Sequence, residues 1–222
     1  MLKKIVNLIL VILLGFCIFN IGKKAYNTYN NKITYEKIKL EKEQQKNNLI
    51  NYLNEKDIDW ITIPNTSIDY PVKFPKDNEY YITRDVYGSP NLGGAIFYDA
   101  YNIPFENNNT IIYGHCMNDG SMFNNLHYFK RDIDRFKESE VIITRKNGEV
   151  LKYKPLGLYI TNNDWFYQSL NNMNLKEAIE LIQEKSIYDI DVNYSDDSDI
   201  ITLMTCSYEQ RNERLFTFFI RE

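Results

Sequence analysis

Hydrophobic and polar positions divide the chain into three parts with different patterns. Residues 5–22 are apolar with few interruptions, residues 30–56 are mostly Lys, Glu, Gln and Asn, and from Asp57 short apolar runs alternate with turn residues. The first pattern is typical of a membrane-spanning helix, the second of one or two solvated helices, and the third of a β domain. We therefore predict a short N-terminal end (1–4), a transmembrane anchor (5–22), a stalk with N-terminal helices (23–56) and a β domain (57–222).

The apolar segment has two possible functions, as an uncleaved anchor or as a cleaved signal peptide. Its 18 residues approach the ~20 that cross a bilayer as a helix, whereas the apolar core of a signal peptide is shorter. The next residues, Lys23-Lys-Ala-Tyr-Asn27, contain no small-x-small cleavage site. A single-pass anchor is the favoured interpretation. Lysines flank the segment on both sides, so charge alone does not set its orientation.

The third part predicts many short strands and two helices. The predicted strands are 60–63, 68–72, 93–98, 110–113, 141–145, 150–160, 200–205 and 215–220, and an Asn147-Gly148 turn joins two of them into a hairpin. Helical patterns cover 121–129 and 174–185, the second just before the strand that leads to Cys206. Short strands in this number favour a mostly β protein built as a closed barrel, with helices inserted between strands.

The last two predicted strands form the simplest hairpin in the chain. If Cys206 pairs with Arg214, Met204 faces Phe216 and residues 207–213 make the loop. Directly opposed residues of an antiparallel pair share a face, so the arginine would lie beside the thiol. A shift of one residue would place the two on opposite faces, and the sequence leaves that alternative open.

Composition excludes several classes of protein. The net charge of −4 argues against a nucleic-acid partner. Three cysteines without C-x-x-C spacing make neither a disulfide scaffold nor a zinc site, so no metal or other cofactor is expected. Only two histidines, His115 and His127, are present as candidate bases. His127 lies among apolar residues of a predicted helix, and we interpret it as structural.

A thiol at a strand end beside a cation is a candidate nucleophile, because positive charge favours the thiolate. Taken alone, Cys206 is better interpreted as a buried structural cysteine, which packs as a small hydrophobe. The residues around it decide between these two possibilities. Thr202-Leu-Met-Thr-Cys206, with Arg214 eight positions later, resembles the cysteine motif of sortases, and Ile111-Ile-Tyr-Gly-His115 resembles their histidine motif.

Further motifs resemble class B sortases in particular, and together the matches run in order from about residue 57 to the last strand. They are Trp60-Ile-Thr-Ile-Pro-Asn-Thr66, Ile68-Asp-Tyr-Pro-Val72, Asp77-Asn-Glu-Tyr-Tyr81, and Met117, Gly120, Met122, Phe123 and Leu126 after the histidine. The resemblance implies an eight-stranded barrel with N-terminal helices and a helix before the cysteine strand. It also implies a membrane-anchored enzyme whose catalytic domain lies outside the cell membrane of a Gram-positive bacterium.

The activity implied is that of a cysteine transpeptidase. Such an enzyme cleaves an Asn-Pro-x-Thr-like sorting signal of a secreted protein through a thioacyl intermediate. It then transfers the acyl group to an amine of peptidoglycan or of a lipid-linked precursor. By the resemblance, Cys206 is the nucleophile, His115 the general acid and base, and Arg214 the oxyanion donor. Two alternatives remain open: a thiol hydrolase with the same site, and a membrane-tethered binding module with a degenerate site.

Three positions bear on the site without belonging to the predicted triad. Met204 stands where class B enzymes often carry serine, so no hydroxyl is available there. Cys116 replaces the asparagine that often follows the histidine; we expect it to be inert, because successive strand residues point to opposite faces. Arg211 is a rival of Arg214, but its predicted place in the loop makes it a poorly preorganised donor.

Overall fold

A computed structural model describes residues 2–162, 166–207 and 212–221. A closed barrel of eight strands forms the centre of the molecule, as predicted. In chain order the strands are β1 (Ile58–Thr62), β2 (Asp69–Lys73), β3 (Ile96–Tyr98), β4 (Asn109–Tyr113), β5 (Val141–Thr144), β6 (Val150–Thr161), β7 (Ile200–Cys206) and β8 (Arg214–Arg221). The helices are α1 (Leu2–Gln44), α2 (Leu49–Lys56), α3 (Leu126–Phe129), α4 (Ile133–Lys137) and α5 (Leu175–Lys185).

Around the barrel the strand order is β1-β2-β3-β4-β7-β8-β6-β5. The β2–β3 and β4–β7 pairs are parallel, and the other pairs are antiparallel. The β4–β7 pair is the important one for function, because it sets a strand of the middle of the chain beside the penultimate strand.

Alternate residues of β7 face two different apolar cores. Ile201 and Leu203 pack inside the barrel, whereas Ile200 packs outside it with Phe216 and Phe218 of β8. Helix α5 covers this outer core, and Asn174 and Glu177 form a capping box at its start. Because side chains alternate along a strand, the even-numbered residues of β7, Cys206 among them, lie on the outer face.

Two predicted elements differ from the structure. Strand β3 begins at Ile96 rather than at residue 93, because Gly94 has a left-handed φ of +61° that an extended strand does not permit. The helix predicted for 121–129 is reduced to α3, since Met122 also has a left-handed φ (+57°) and bridges back to Cys116. Helix α4 was not predicted; the Asp132 side chain caps it by accepting from the Arg135 N–H.

The N-terminal part contains two helices: α1 runs without a break from the apolar segment to Gln44, and the shorter α2 follows it. Within the described residues α1 is the one helix long and apolar enough to cross a membrane. The second half of α1 packs on the barrel, and its contacts extend well before the last turns of the helix. Asn31, Tyr35 and Ile38 are buried, at the spacing of one helix face, and Lys42 pairs with Asp69 at 2.9 Å.

This packing predicts where the chain tolerates truncation. All side chains from Lys3 to Tyr26 are exposed, so deleting residues 1–26 removes none of the buried side chains with which α1 packs on the barrel. We expect the truncated protein to be soluble, folded and as active on a sorting peptide as the full chain in detergent. Circular dichroism and peptide cleavage measure this, with a deletion of residues 1–44 as the contrasting variant. Aggregation or loss of cleavage after the shorter deletion would contradict the prediction.

Candidate active site

The hairpin of β7 and β8 has the register that we predicted from the sequence. Cys206 pairs with Arg214, Met204 with Phe216 and Thr202 with Phe218. The Ser207 N–H donates to the Glu213 carbonyl at 2.9 Å, so the Cys206–Arg214 pair lies between ladder bonds, at a non-hydrogen-bonded position. Side chains at such positions approach more closely than those of hydrogen-bonded pairs, which sets the guanidinium beside the thiol.

The parallel pairing of β4 with β7 brings the histidine to the same place. Asn109 pairs with Ile200 and Tyr113 with Met204, each pair 91 positions apart, and the Gly114 N–H continues this ladder to the Met204 carbonyl at 3.1 Å. His115 and Cys206 are also 91 positions apart, so the same register, continued two residues beyond the end of β4, places them side by side.

All three side chains line one cavity on the outer face of the barrel. Its volume is about 340 Å³. His115, Cys206 and Arg214 are each half-buried, so they contact both the protein and an entering ligand. The other lining residues are Asn78, Ile82, Phe97, Tyr113, Gly114, Tyr167, Gln168, Met204 and Thr205. A cleft with apolar walls and a few convergent polar groups is typical of a ligand-binding or active site.

Backbone contacts hold His115 in place. Its Nε2 lies 2.7 Å from the Ile82 carbonyl, which accepts only, so Nε2 carries a proton there. The His115 carbonyl accepts from the Phe123 N–H at 2.8 Å. Residue 114 must be glycine, because a Cβ there would lie 2.5 Å from the Phe123 ring. The glycine of the histidine motif thus allows the following loop to fold back over the histidine.

Arg214 is anchored by one hydrogen bond within the described residues, and these leave most of its donors for a ligand. Its Nη1 donates to the Glu213 carbonyl at 3.1 Å. A guanidinium has five N–H donors, and this bond uses one of them. Because Arg214 also lines the cavity, the group can present its remaining N–H donors to a carbonyl oxygen held next to Cys206.

Cys116 lies on the other side of the strand from His115. It is buried, and its Sγ accepts from the Asn124 amide at 3.3 Å. Burial raises the pKa of the Cys116 thiol above its ordinary value. A protonated, buried thiol is a poor nucleophile, which favours Cys206 as the reactive cysteine.

His127 contacts the cysteine strand, which sequence reasoning missed. Its Nε2 lies 3.0 Å from the Cys206 carbonyl. That carbonyl points away from β8, because residue 206 is at a non-hydrogen-bonded position of the hairpin, and β4 has already ended on its other side. His127 on α3 therefore supplies a donor that the sheet does not. Apart from the small number of histidines, no sequence pattern indicates this contact.

A buried polar network forms another wall of the cavity. The Tyr113 hydroxyl donates to Asp99, and the Asn78 amide donates to the same carboxylate oxygen at 2.9 Å. Burial, followed by the influence of Tyr167 and Asp99, raises the pKa of Tyr113 well above its ordinary value, so its hydroxyl stays neutral. Asn78 and Tyr113 belong to the two motifs quoted above, but the sequence assigned them no part in the site.

Met204 occupies the wall one layer below the thiol, between Tyr113 of β4 and Phe216 of β8. The position that often carries serine in class B enzymes thus presents a thioether to the cavity. Arg211, the rival of Arg214, lies outside the described residues, as do Tyr208 and Glu209.

Comparison with known proteins agrees with this geometry. The sequence model described as "Sortase domain" matches residues 61–218, which is most of the chain. The chain belongs to the sortase family. Sortase B of Listeria monocytogenes serovar 1/2a is 33% identical over 168 residues, which cover 73% of this chain and 67% of that protein.

Solved structures give the same result for the fold. Sortase B from Bacillus anthracis, in complex with AAEK1, is 28% identical with a TM-score of 0.73, and the match covers 88% of this chain and 97% of that one. A Staphylococcus aureus sortase B–substrate complex has the same fold at 23% identity, with a TM-score of 0.73, covering 87% and 96%. This sortase is therefore a class B sortase, and by family a cysteine transpeptidase.

Proposed function

We propose that this sortase cleaves an Asn-Pro-x-Thr-like sorting signal of secreted proteins and transfers the acyl part to an amine of peptidoglycan or of a lipid-linked precursor. One observation carries the assignment of residues. Cys206 on β7, Arg214 on β8 and His115 just after β4 line one cavity.

In the first step, the Cys206 thiolate attacks the carbonyl carbon of the scissile peptide bond, and the Arg214 guanidinium donates to the oxygen as negative charge develops there. The tetrahedral adduct collapses to a thioester, and the leaving amine takes a proton from His115. Because Nε2–H is bonded to the Ile82 carbonyl, transfer from that nitrogen requires this hydrogen bond to open.

In the second step, the acceptor amine attacks the thioester. His115, now neutral, takes a proton from the attacking nitrogen, and the thiolate leaves with its electron pair. The new amide carries the acyl group, and the enzyme returns to its starting protonation. No cofactor enters either step.

The long helix α1 supports an anchored topology for this enzyme. We infer that residues 1–4 lie in the cytoplasm, residues 5–22 span the cell membrane, residues 23–56 connect to the barrel and residues 57–222 act on the outer side of a Gram-positive cell. The exposed apolar side chains of the first part of α1 support this assignment.

A panel of sorting peptides, assayed with and without an added amine, tests the proposal. We expect the amine to divert most of the product from the free acid to the peptide conjugate, seen by mass spectrometry. If the peptide is instead hydrolysed to the free acid at the same rate with and without amine, the enzyme is a thiol hydrolase. A tethered binding module would form no covalent adduct on Cys206 with a substrate-mimicking electrophile.

A further inference from the structure

Two buried side chains of α1 contact the part of the barrel next to His115. The Tyr35 hydroxyl donates to the Gly94 carbonyl at 2.6 Å, and the side chain is 4% exposed. Asn31, one turn earlier, lies against Gly93: a Cβ at residue 93 would be 2.3 Å from its Oδ1. The helix that begins in the apolar segment therefore packs directly on the Gly93-Gly94 pair.

Gly94 is in turn packed against the histidine ring. A Cβ at residue 94 would lie 3.0 Å from the His115 Cδ2 and 2.5 Å from the Tyr81 carbonyl oxygen. The adjacent Ile82 carbonyl is the group that binds His115 Nε2. The backbone of Gly94 thus fills the space between the 81–82 segment and the imidazole, and its position limits where the ring can lie.

Asn31 reaches the other side of the histidine. Its Nδ2 donates to the Ser121 hydroxyl at 3.4 Å. Ser121 belongs to the loop that folds back over His115, where Phe123 donates to the His115 carbonyl. One turn of α1 therefore contacts both segments that enclose the histidine.

We propose that Tyr35, supported by Asn31, is a positioning residue for His115. This inference deepens the proposed function and rests on it. Glycine restricts its own backbone less than any other residue. The left-handed Gly94 is held on one side by its N–H bond to the Asn91 carbonyl, and it has a second bond at its own carbonyl. The Tyr35 hydroxyl supplies that bond from a rigid helix. The helix that carries the apolar segment is then also part of the support of the catalytic histidine.

If the Tyr35 hydroxyl had only a structural role, its removal would have a different consequence. A matched pair of variants separates a structural role from a positioning role. Tyr35→Phe removes only the hydroxyl that bonds Gly94. Tyr153→Phe also removes a buried tyrosine hydroxyl, which donates to Asp199 at 2.8 Å, but residue 153 pairs with Arg221, at the end of β8 opposite to Arg214. Both variants are made in the full chain in detergent micelles.

We expect Tyr35→Phe to lower kcat about ten- to a hundredfold with KM within about twofold, because misplacing a catalytic group by about 1 Å can cost about 10²-fold. Tyr153→Phe should keep kcat within about twofold while lowering the melting temperature at least as much as Tyr35→Phe does. A kcat of Tyr35→Phe within about twofold of wild type, or equal losses in the two variants, would overturn the proposal.

A second measurement does not depend on the activity. The chain has two histidines, so their imidazole proton signals can be assigned with His127→Gln. We expect the His115 signal to shift or broaden in Tyr35→Phe and to stay in place in Tyr153→Phe. An unchanged His115 signal in Tyr35→Phe rejects the positioning role, whether or not the wild-type protein transfers an acyl group. A wild-type protein that transfers no acyl group would reject the proposed function instead.

Discussion

Replacing Cys206 by alanine is expected to reduce cleavage of the sorting peptide to background and to abolish adduct formation with a substrate-mimicking electrophile. Cys206 lines the cavity beside His115 and Arg214, and no other group in that position can form a thioester.

Activity of the wild-type enzyme should follow a bell-shaped pH profile, because the reaction uses a thiolate and a protonated imidazole together. Steady-state kinetics measure this profile and the loss of cleavage, and intact-protein mass spectrometry measures adduct formation.

Cys116→Ala is the matched control for Cys206→Ala. The Cys116 thiol is buried and bonded to Asn124, and its pKa is raised by burial, so we expect its loss to leave most of the activity. Equal damage from the two alanine substitutions would remove the basis for assigning Cys206 as the nucleophile.

Arg214→Ala is expected to lower kcat by at least about 10²–10³-fold, the typical cost of losing one oxyanion donor. The register of the hairpin sets Arg214 opposite Cys206, and its bond to the Glu213 carbonyl holds the guanidinium before substrate arrives. Arg214→Lys should recover little, because an ammonium lacks the planar fork that can bond two acceptors at once. Initial rates with a saturating peptide report the effect on kcat.

Arg211→Ala is the comparison that decides between the two arginines. We expect it to remain within roughly tenfold of wild type, since a donor in a connecting loop is less well preorganised. If Arg211→Ala were inactive and Arg214→Ala active, the role assigned to Arg214 would be wrong.

The sequence predicted the elements whose patterns are local. The alternation in β7 and β8 and the spacing of Cys206 and Arg214 suggested their register but left a shift of one residue open, and the structure has the pairing of residue 206 with residue 214. The number of short strands favoured a closed barrel, and the family resemblance implied its eight strands, but the pairing of β4 with β7 was not predicted. No local pattern states that residues 91 positions apart lie side by side.

The missed features depend on contacts between distant segments. The bond from His127 to the Cys206 carbonyl exists because β4 ends early and α3 fills the gap, and neither fact is visible in the pattern around His127. The buried face of α1 did leave a signal, since Asn31, Tyr35 and Ile38 have helical spacing. It was overlooked because the surrounding residues are strongly polar and the face includes an asparagine.

If residues 5–22 span the membrane, as we propose, the unbroken course of α1 limits how far the catalytic cavity can lie from the bilayer. With Gly22 at the membrane surface, the thirteen residues to Tyr35 rise about 20 Å at 1.5 Å per residue, less if the helix tilts. A client protein held in the same membrane by its own hydrophobic segment must cover that height with extended chain, at about 3.3 Å per residue. Clients of this enzyme therefore need a spacer of about six residues or more between the membrane segment and the cleavage motif, and those with shorter spacers should be processed poorly.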